Sequence, residues 1–170
     1  VDDPYTCRDP TAFDPLASRR DRTMTPPSPD HRLGATDENV HTTWDRAHEP
    51  VLTVESGDVV RFECRDATNG LLTADSTVED VYALADDDTD HPLTGPVEVA
   101  GATPGDVLAV DLLDVEHHGV GFTYVYPSTE GLGLLPEEFD DPGLHVWDLD
   151  DGVGRFTDGI EVPLDPFPGN

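Results

Sequence analysis

An acidic side chain leaving the end of a β-strand is well placed to hold a ligand or to exchange a proton, and Asp66 stands there in Glu63-Cys64-Arg65-Asp66-Ala67. The same position suits a residue that merely caps a turn. A second polar cluster, His41-Thr42-Thr43-Trp44-Asp45, sets an imidazole beside an indole in a loop, where a His serves as an anchor more often than as a ligand. A third, His91-Pro92-Leu93-Thr94-Gly95-Pro96, combines two fixed φ angles with one permissive residue. Rigid paths of this kind hold sites, and they also simply turn corners.

The other polar residues carry less. His117 and His118 would point to opposite faces of a strand, so one ion would rarely take both, and solvation is the better reading. His31 and His48 lie in polar loops and are assigned nothing. Cys64 shows no feature of a nucleophile and reads as a buried packing thiol. The runs Asp86-Asp87-Asp88 and Asp148 to Asp151 lack the Gly and distal Glu of a calcium loop and read as solvated surface.

The elements that would position these clusters are short strands. Val51–Val54, Val59–Cys64, Gly95–Ala100, Val107–Val115, Phe122–Tyr126, Gly143–Asp148 and Val153–Phe156 are apolar or alternating and are bounded by Gly, Pro, Asn or Asp. Ser56-Gly57-Asp58 and Pro104-Gly105-Asp106 repeat one layout, a strand, a turn and an alternating strand. Ser76–Ala85 is the best helix candidate, capped by Asp75 or Ser76, with Val78, Val81, Tyr82 and Ala85 on one face. The expected fold is mostly β: a sandwich or barrel of short antiparallel strands with one or two short helices. Residues 1–40 read as a flexible leader and 41–170 as the β domain; Met24, the single methionine, marks an alternative start.

Composition narrows the partners. Against 37 acidic residues stand nine basic ones, all Arg, for a formal net charge of -28 dispersed along the chain. Dispersed acidity with no Lys suits a surface made for high salt, while 36% apolar residues in strand-sized runs argue against disorder. Nucleic acid and anionic membranes are not expected partners of such a surface. No run reaches the ~20 apolar residues of a membrane span, and no basic segment precedes an apolar one as in a secretory signal. Two cysteines, Cys7 and Cys64, make no disulfide framework, so a reduced cytoplasm is the expected setting.

Taken in order, the three loops resemble the acetamidase/formamidase family. H-T-T-W-D followed by E-P-V-L-T-V-E-S-G-D-V-V-R-F-E-C-R-D-A is similar to that family's opening block. H-P-L-T-G-P-V-E-V-A-G-A-T-P-G-D-V-L-A-V-D-L-L-D-V is similar to the next, and it is the most specific match, being long, ungapped and rich in Gly and Pro. G-L-L-P-E-E-F and the terminal P-L-D-P-F-P-G also resemble family features; Asn69-Gly70-Leu71 stands where members often carry a Gly-Gln step. The resemblance covers about residues 41–170 and only the front part of a full-length member, so the domain is expected to be incomplete on its C-terminal side.

What the resemblance implies is hydrolysis of short linear amides, formamide or acetamide, to ammonia and a carboxylate. His41 and Asp66 are then the implied catalytic residues and the implied ligands of a divalent metal, zinc or calcium, that polarises the carbonyl and acidifies a bound water. Trp44 and His91 are the implied substrate-binding residues. No organic cofactor is implied. A small amide is the implied ligand, with the missing C-terminal half as a separate chain and a second copy of this one as open protein partners. An inactive remnant or other non-enzymatic β-module is the competing expectation, as is one half of a split amidase; the downstream sequence discriminates them. The charge alone generates a first prediction. The melting temperature should climb steeply from roughly 0.1 M to molar KCl as screening removes self-repulsion, and a scanning-calorimetry transition indifferent to salt would contradict it.

Overall fold

The computed structural model describes residues 25–84, 90–126, 135, 137–139, 141–150 and 152–167. Met24, Cys7 and the Asp86–Asp88 run therefore lie outside the described residues, as do three of the seven residues of G-L-L-P-E-E-F. Ten strands and one short helix are seen among those described, and the chain is mostly β.

The first six strands make three two-stranded sheets. β1 (His31–Leu33) runs parallel to β4 (Val60–Phe62), with Leu33 opposite Phe62. β2 (Val40–His41) is antiparallel to β5 (Leu93–Thr94). β3 (Leu52–Val54) runs parallel to β6 (Val97–Val99), flanked by Val51 N–H to Pro96 O at 2.9 Å and Ala100 N–H to Val54 O at 2.7 Å. Two of these pairs are parallel where antiparallel strands were expected. Parallel neighbours need a long crossover, and here it runs through other elements: β2 and β3 lie between β1 and β4, and β4, the helix and β5 between β3 and β6. β1 falls inside the 1–40 stretch read as a leader, and its backbone is tied to the rest by Glu63 N–H to Leu33 O at 2.9 Å.

The remaining strands form one antiparallel meander in the order β10-β9-β8-β7. They are β7 (Val120–Val125), β8 (Gly143–Asp150), β9 (Val153–Thr157) and β10 (Ile160–Pro163). One face carries a ring cluster, with His145 edge-on to Trp147 at 4.8 Å and Phe156 4.5 Å from His145. Gly154 fits beneath it because a Cβ there would stand 3.2 Å from both Trp147 and Leu149 side-chain carbons. On the rim, Arg155 pairs with Asp148 at 3.0 Å, Glu161 at 3.6 Å and Asp150 at 3.9 Å, so part of the Asp148–Asp151 run balances an arginine. These exposed pairs are worth little individually, about 0–1 kcal/mol.

The expected helix starts later than its sequence signal, and Ala85, its expected end, lies outside the described residues. A 3-10 turn (Val78–Asp80) leads into α1 (Val81–Leu84), and the cap is Thr77, whose N–H donates to the Asp80 carboxylate at 2.8 Å. The short chain of bonds leaves Tyr82 exposed and buries Val81 and Leu84. With Leu33, Val54 and Leu72 they are the buried apolar residues of the described chain.

Two expectations fail. Val107–Val115 is no strand, and its side chains are exposed from end to end; nothing among the described residues hydrogen-bonds it as a ladder. Cys64 is exposed, because β4 ends at Phe62 and the sequence alternation that would have buried the thiol stops with it. The core supplies a second prediction. Val81 has no exposed surface, so Val81→Ala should cost about 1–3 kcal/mol in urea unfolding in molar KCl, and Tyr82→Ala clearly less.

Candidate functional site

Three loops meet where β2 pairs with β5. His41 sits opposite Leu93 in that ladder, two positions from His91. The pairing is extended by Gly95 N–H to Asn39 O at 2.8 Å, and Thr94 Oγ1 donates to Glu63 O at 2.8 Å just past β4. His91, at φ +52°, donates its amide to Ala67 O at 2.8 Å. The loops 34–41, 63–70 and 91–95, widely spaced in sequence, therefore form one backbone-bonded unit, and it takes in His41, Asp66 and His91 from the three clusters singled out in the sequence.

Arg65 locks two of them together. Its Nε and Nη2 both donate to Ala35 O, at 3.1 and 3.0 Å, its Nη1 donates to Asn69 Oδ1 at 3.0 Å, and Nη2 also reaches Asp37. A planar guanidinium with five fixed donors can serve such a fork, where an ammonium would act as a point charge.

Asp66 is turned onto its own loop. Oδ1 accepts the Thr68 amide at 2.8 Å and the Thr68 hydroxyl, and Oδ2 accepts the Gly70 amide at 3.0 Å. Asn69 then takes φ +54°, donating its amide to Asp66 O at 2.9 Å. Thr68 is buried and its hydroxyl in turn accepts the Leu72 amide at 3.2 Å. This is an Asx-type turn, in which the carboxylate supplies acceptors to backbone N–H groups that lie beyond the three-residue β4.

His41 is half-buried and stacks on His48, with ring centroids 4.5 Å apart. His48 is itself hydrogen-bonded to Thr43 Oγ1 at 2.9 Å. Sequence reasoning assigned His48 nothing, because seven positions of irregular loop give no periodicity from which to place it against His41. Trp44 does not pack on His41; it is 89% exposed. His91 keeps its ring exposed, with Nε2 3.9 Å from Asp90. His31, also unassigned from sequence, ties β1 to the Asp58 carboxylate at 2.9 Å. The His117 ring accepts the Gly119 amide at 3.1 Å on Nδ1.

The arrangement offers an imidazole pair, an exposed imidazole and an organised carboxylate on one loop unit. Among the described residues no three His, Cys, Asp or Glu side chains converge on a common point for a metal ion. A catalytic zinc site takes three protein donors, so these residues alone do not furnish one. An open depression of about 430 Å³ lies on the four-stranded sheet between His145, Arg155, Phe156 and Glu161, and none of its lining residues belongs to the loop unit. No described helix is long and apolar enough to cross a membrane.

The geometry predicts that Asp66 matters to stability whatever else it does. Asp66→Asn turns one acceptor into a donor facing N–H groups, and a cost of about 1–3 kcal/mol is expected in chemical unfolding. Trp44→Ala should change stability by less than about 0.5 kcal/mol. Equal costs for the two would show that the turn is not held as described.

Comparison with known proteins follows the same residues. The pattern of the Acetamidase/Formamidase family matches residues 28–170. The formamidase of Methylophilus methylotrophus is 32% identical over 136 residues, which are 78% of this chain and 32% of that protein. The acetamidase of Mycolicibacterium smegmatis is 31% identical over 156 residues, 84% of this chain and 38% of that protein. Among solved structures, the gamma lactamase from Delftia acidovorans overlays with a TM-score of 0.68 at 30% identity, covering 78% of this chain and 36% of that one. The chain thus spans about a third of the length of the relatives it matches.

Proposed function

The chain belongs to the acetamidase/formamidase family, and from that membership we propose that it forms the front part of an amidohydrolase that cleaves the carbon–nitrogen bond of short linear amides. The observation that carries this reading is the match over residues 28–170 to relatives named formamidase and acetamidase, which takes in all three bonded loops. Water adds to the amide carbonyl carbon, the C–N bond breaks, and the nitrogen leaves as ammonia with the proton that water gave up, leaving a carboxylate.

In this reading the half-buried His41 takes the water proton and returns it to the leaving nitrogen, with His48 stacked behind it to fix the ring. Asp66 acts as a positioning residue that sets the Ala67 carbonyl and, through it, His91. Trp44 and His91, both exposed, are the residues that would touch the amide once the site is closed. A divalent metal, zinc or calcium, belongs to the proposal only as an ion whose remaining donors come from the other two thirds of the family length; bound, it would polarise the carbonyl. The cysteine content favours a reduced cytoplasm as the setting.

The gamma lactamase match supports a second reading, a cyclic amide opened without loss of the nitrogen. The 170-residue chain alone should hydrolyse neither substrate, since an open site neither excludes water nor completes its donor set. A chimera of the Methylophilus formamidase, with residues 28–170 of this chain replacing its matched third, tests the proposal. In salt that the parent enzyme tolerates, it should release ammonia from formamide, and His41→Ala should lower kcat at least ~100-fold. Opening of a five-membered lactam without formamide turnover would select the second reading. A folded chimera that hydrolyses neither amide would overturn both.

A further inference from the structure

Asparagine followed by glycine is a chemically fragile step. The glycine nitrogen, hindered by no side chain of its own, can attack the asparagine side-chain carbonyl and close a five-membered ring. The chain carries this step once, at Asn69-Gly70, inside the turn that Asp66 organises. Burial does not shield it. Asn69 is half-buried, Gly70 is exposed, and a Cβ built on Gly70 would meet no atom within 4 Å, so water reaches the step from that side.

Conformation shields it instead. Ring closure needs the Gly70 nitrogen on the same side of the Asn69 Cα–C bond as Cβ. Asn69 has φ +54°, in the left-handed region, where the following nitrogen stands nearly opposite Cβ. That nitrogen is held in place, since Gly70 N–H donates to Asp66 Oδ2 at 3.0 Å. The side chain is held as well. Asn69 Oδ1 accepts from Arg65 Nη1 at 3.0 Å, and the guanidinium is anchored on Ala35 O through Nε and Nη2. Beyond the step, Leu71 N–H donates to Thr68 O at 3.0 Å and Leu72 N–H to the Thr68 hydroxyl at 3.2 Å, with Thr68 and Leu72 both buried. Swinging the Gly70 nitrogen toward Asn69 Cγ therefore breaks the bond to Asp66 and pulls on a buried anchor two residues later.

We propose that Asn69-Gly70 is a deamidation site latched by Asp66 and Arg65, and that its conversion to isoaspartate releases the loop of His91. When the turn opens, Gly70 N bonds to Asn69 Cγ and gives its proton to water. The Cγ–Nδ2 bond then breaks, and the nitrogen takes a proton back and leaves as ammonia. Water next opens the ring at one of its two carbonyls, so that overall one water enters and one ammonia leaves. Opening at Cγ restores the backbone and sets an aspartate carboxylate against Arg65. Opening at the backbone carbonyl gives isoaspartate, whose chain runs through Cβ and is one carbon longer. Gly70 N–H then no longer falls on Asp66 Oδ2, and the turn that presents Ala67 O to the His91 amide at 2.8 Å loses its lock. The inference uses the turn alone and stands apart from amide hydrolysis.

Peptide mass mapping tests this on the whole 170-residue chain, held in warm, mildly alkaline buffer either folded in molar KCl or unfolded in urea. Folded, Asn69 should convert at least ~30-fold more slowly than unfolded, because only the opened turn reacts. Arg65→Lys keeps the charge and loses the fork, and under folding conditions it should convert at least ~3-fold faster than the parent chain. Asp66→Ala should convert faster still. The isoaspartate form, separated from the aspartate form by reversed-phase chromatography and returned to molar KCl, should show faster hydrogen exchange at the His91 amide with the amides of β7–β10 unchanged. Equal rates in the folded and unfolded chain would overturn the latch, and so would an Arg65→Lys chain that converts no faster than its parent. That variant decides alone if Asp66→Ala does not fold. An Asn69 that stays intact in urea would overturn the site, and an unchanged His91 amide would overturn the release of its loop.

Discussion

The first six strands, two or three residues long, leave most of the backbone N–H groups around them without a ladder partner, and those shielded from water must find another acceptor. Here carboxylates supply them. Asp30 takes the Val59 amide, Asp45 that of Ala47, Asp58 that of Glu55, Asp66 those of Thr68 and Gly70, Asp80 that of Thr77 and Asp106 that of Thr103. The Glu55 amide and the His31 ring hold the Asp58 carboxyl below its ordinary range, and the Thr103 amide and hydroxyl do the same for Asp106. The acidity of the sequence is thus partly architectural. It reads as a surface property when composition is considered alone, yet many of its members fix turns, and the loop unit around Asp66 exists because one of them does.

Turn chemistry was the most legible layer of the sequence. Gly-Asp after an apolar run marked both repeated turns, and the strands beside them, β3, β4 and β6, fall within a residue or two of where the alternation placed them. β1, β2 and β5 were not legible because two or three residues cannot express a period; their pairing is decided by partners far along the chain. The helix was legible as an element but not in its start, since Thr77, rather than Ser76, finds the carboxylate three positions on. The strand expected at Val107–Val115 had the right residues and joins no ladder among the described residues, which no local pattern records.

The site was legible in its loops and illegible in its contacts. Family resemblance and polar clustering both selected His41, Asp66 and His91, and the backbone does join their loops. What each side chain does there depended on residues that carry no signal of their own. His48 stacks on His41, Thr68 claims both the amide and hydroxyl bonds of Asp66, and Arg65 holds the 34–39 loop against the turn. Cys64 illustrates the opposite error: an alternation extended two residues past the true end of β4 assigns burial to a side chain that the chain has already released.

The loop unit and the exposed run Val107–Val115 are mechanically close. Asp66 lies a few residues beyond β4, and Thr94 and Gly95 lead directly into β6, so both arms of the loop unit continue into the two strands that flank the repeated turns. Arg61 on β4 pairs with Glu116 at 2.6 Å, tying the far end of the exposed run back to the strand that feeds Asp66. The run is therefore tied to β6 by the Thr103–Asp106 turn and to β4 by Arg61. β4 leads into the loop that carries Asp66, and β6 follows the loop that carries His91. The exposed run and the loops that carry the candidate chemistry are thus joined through β4 and β6, with the positive-φ glycines Gly101 and Gly105 in the path between β6 and the run.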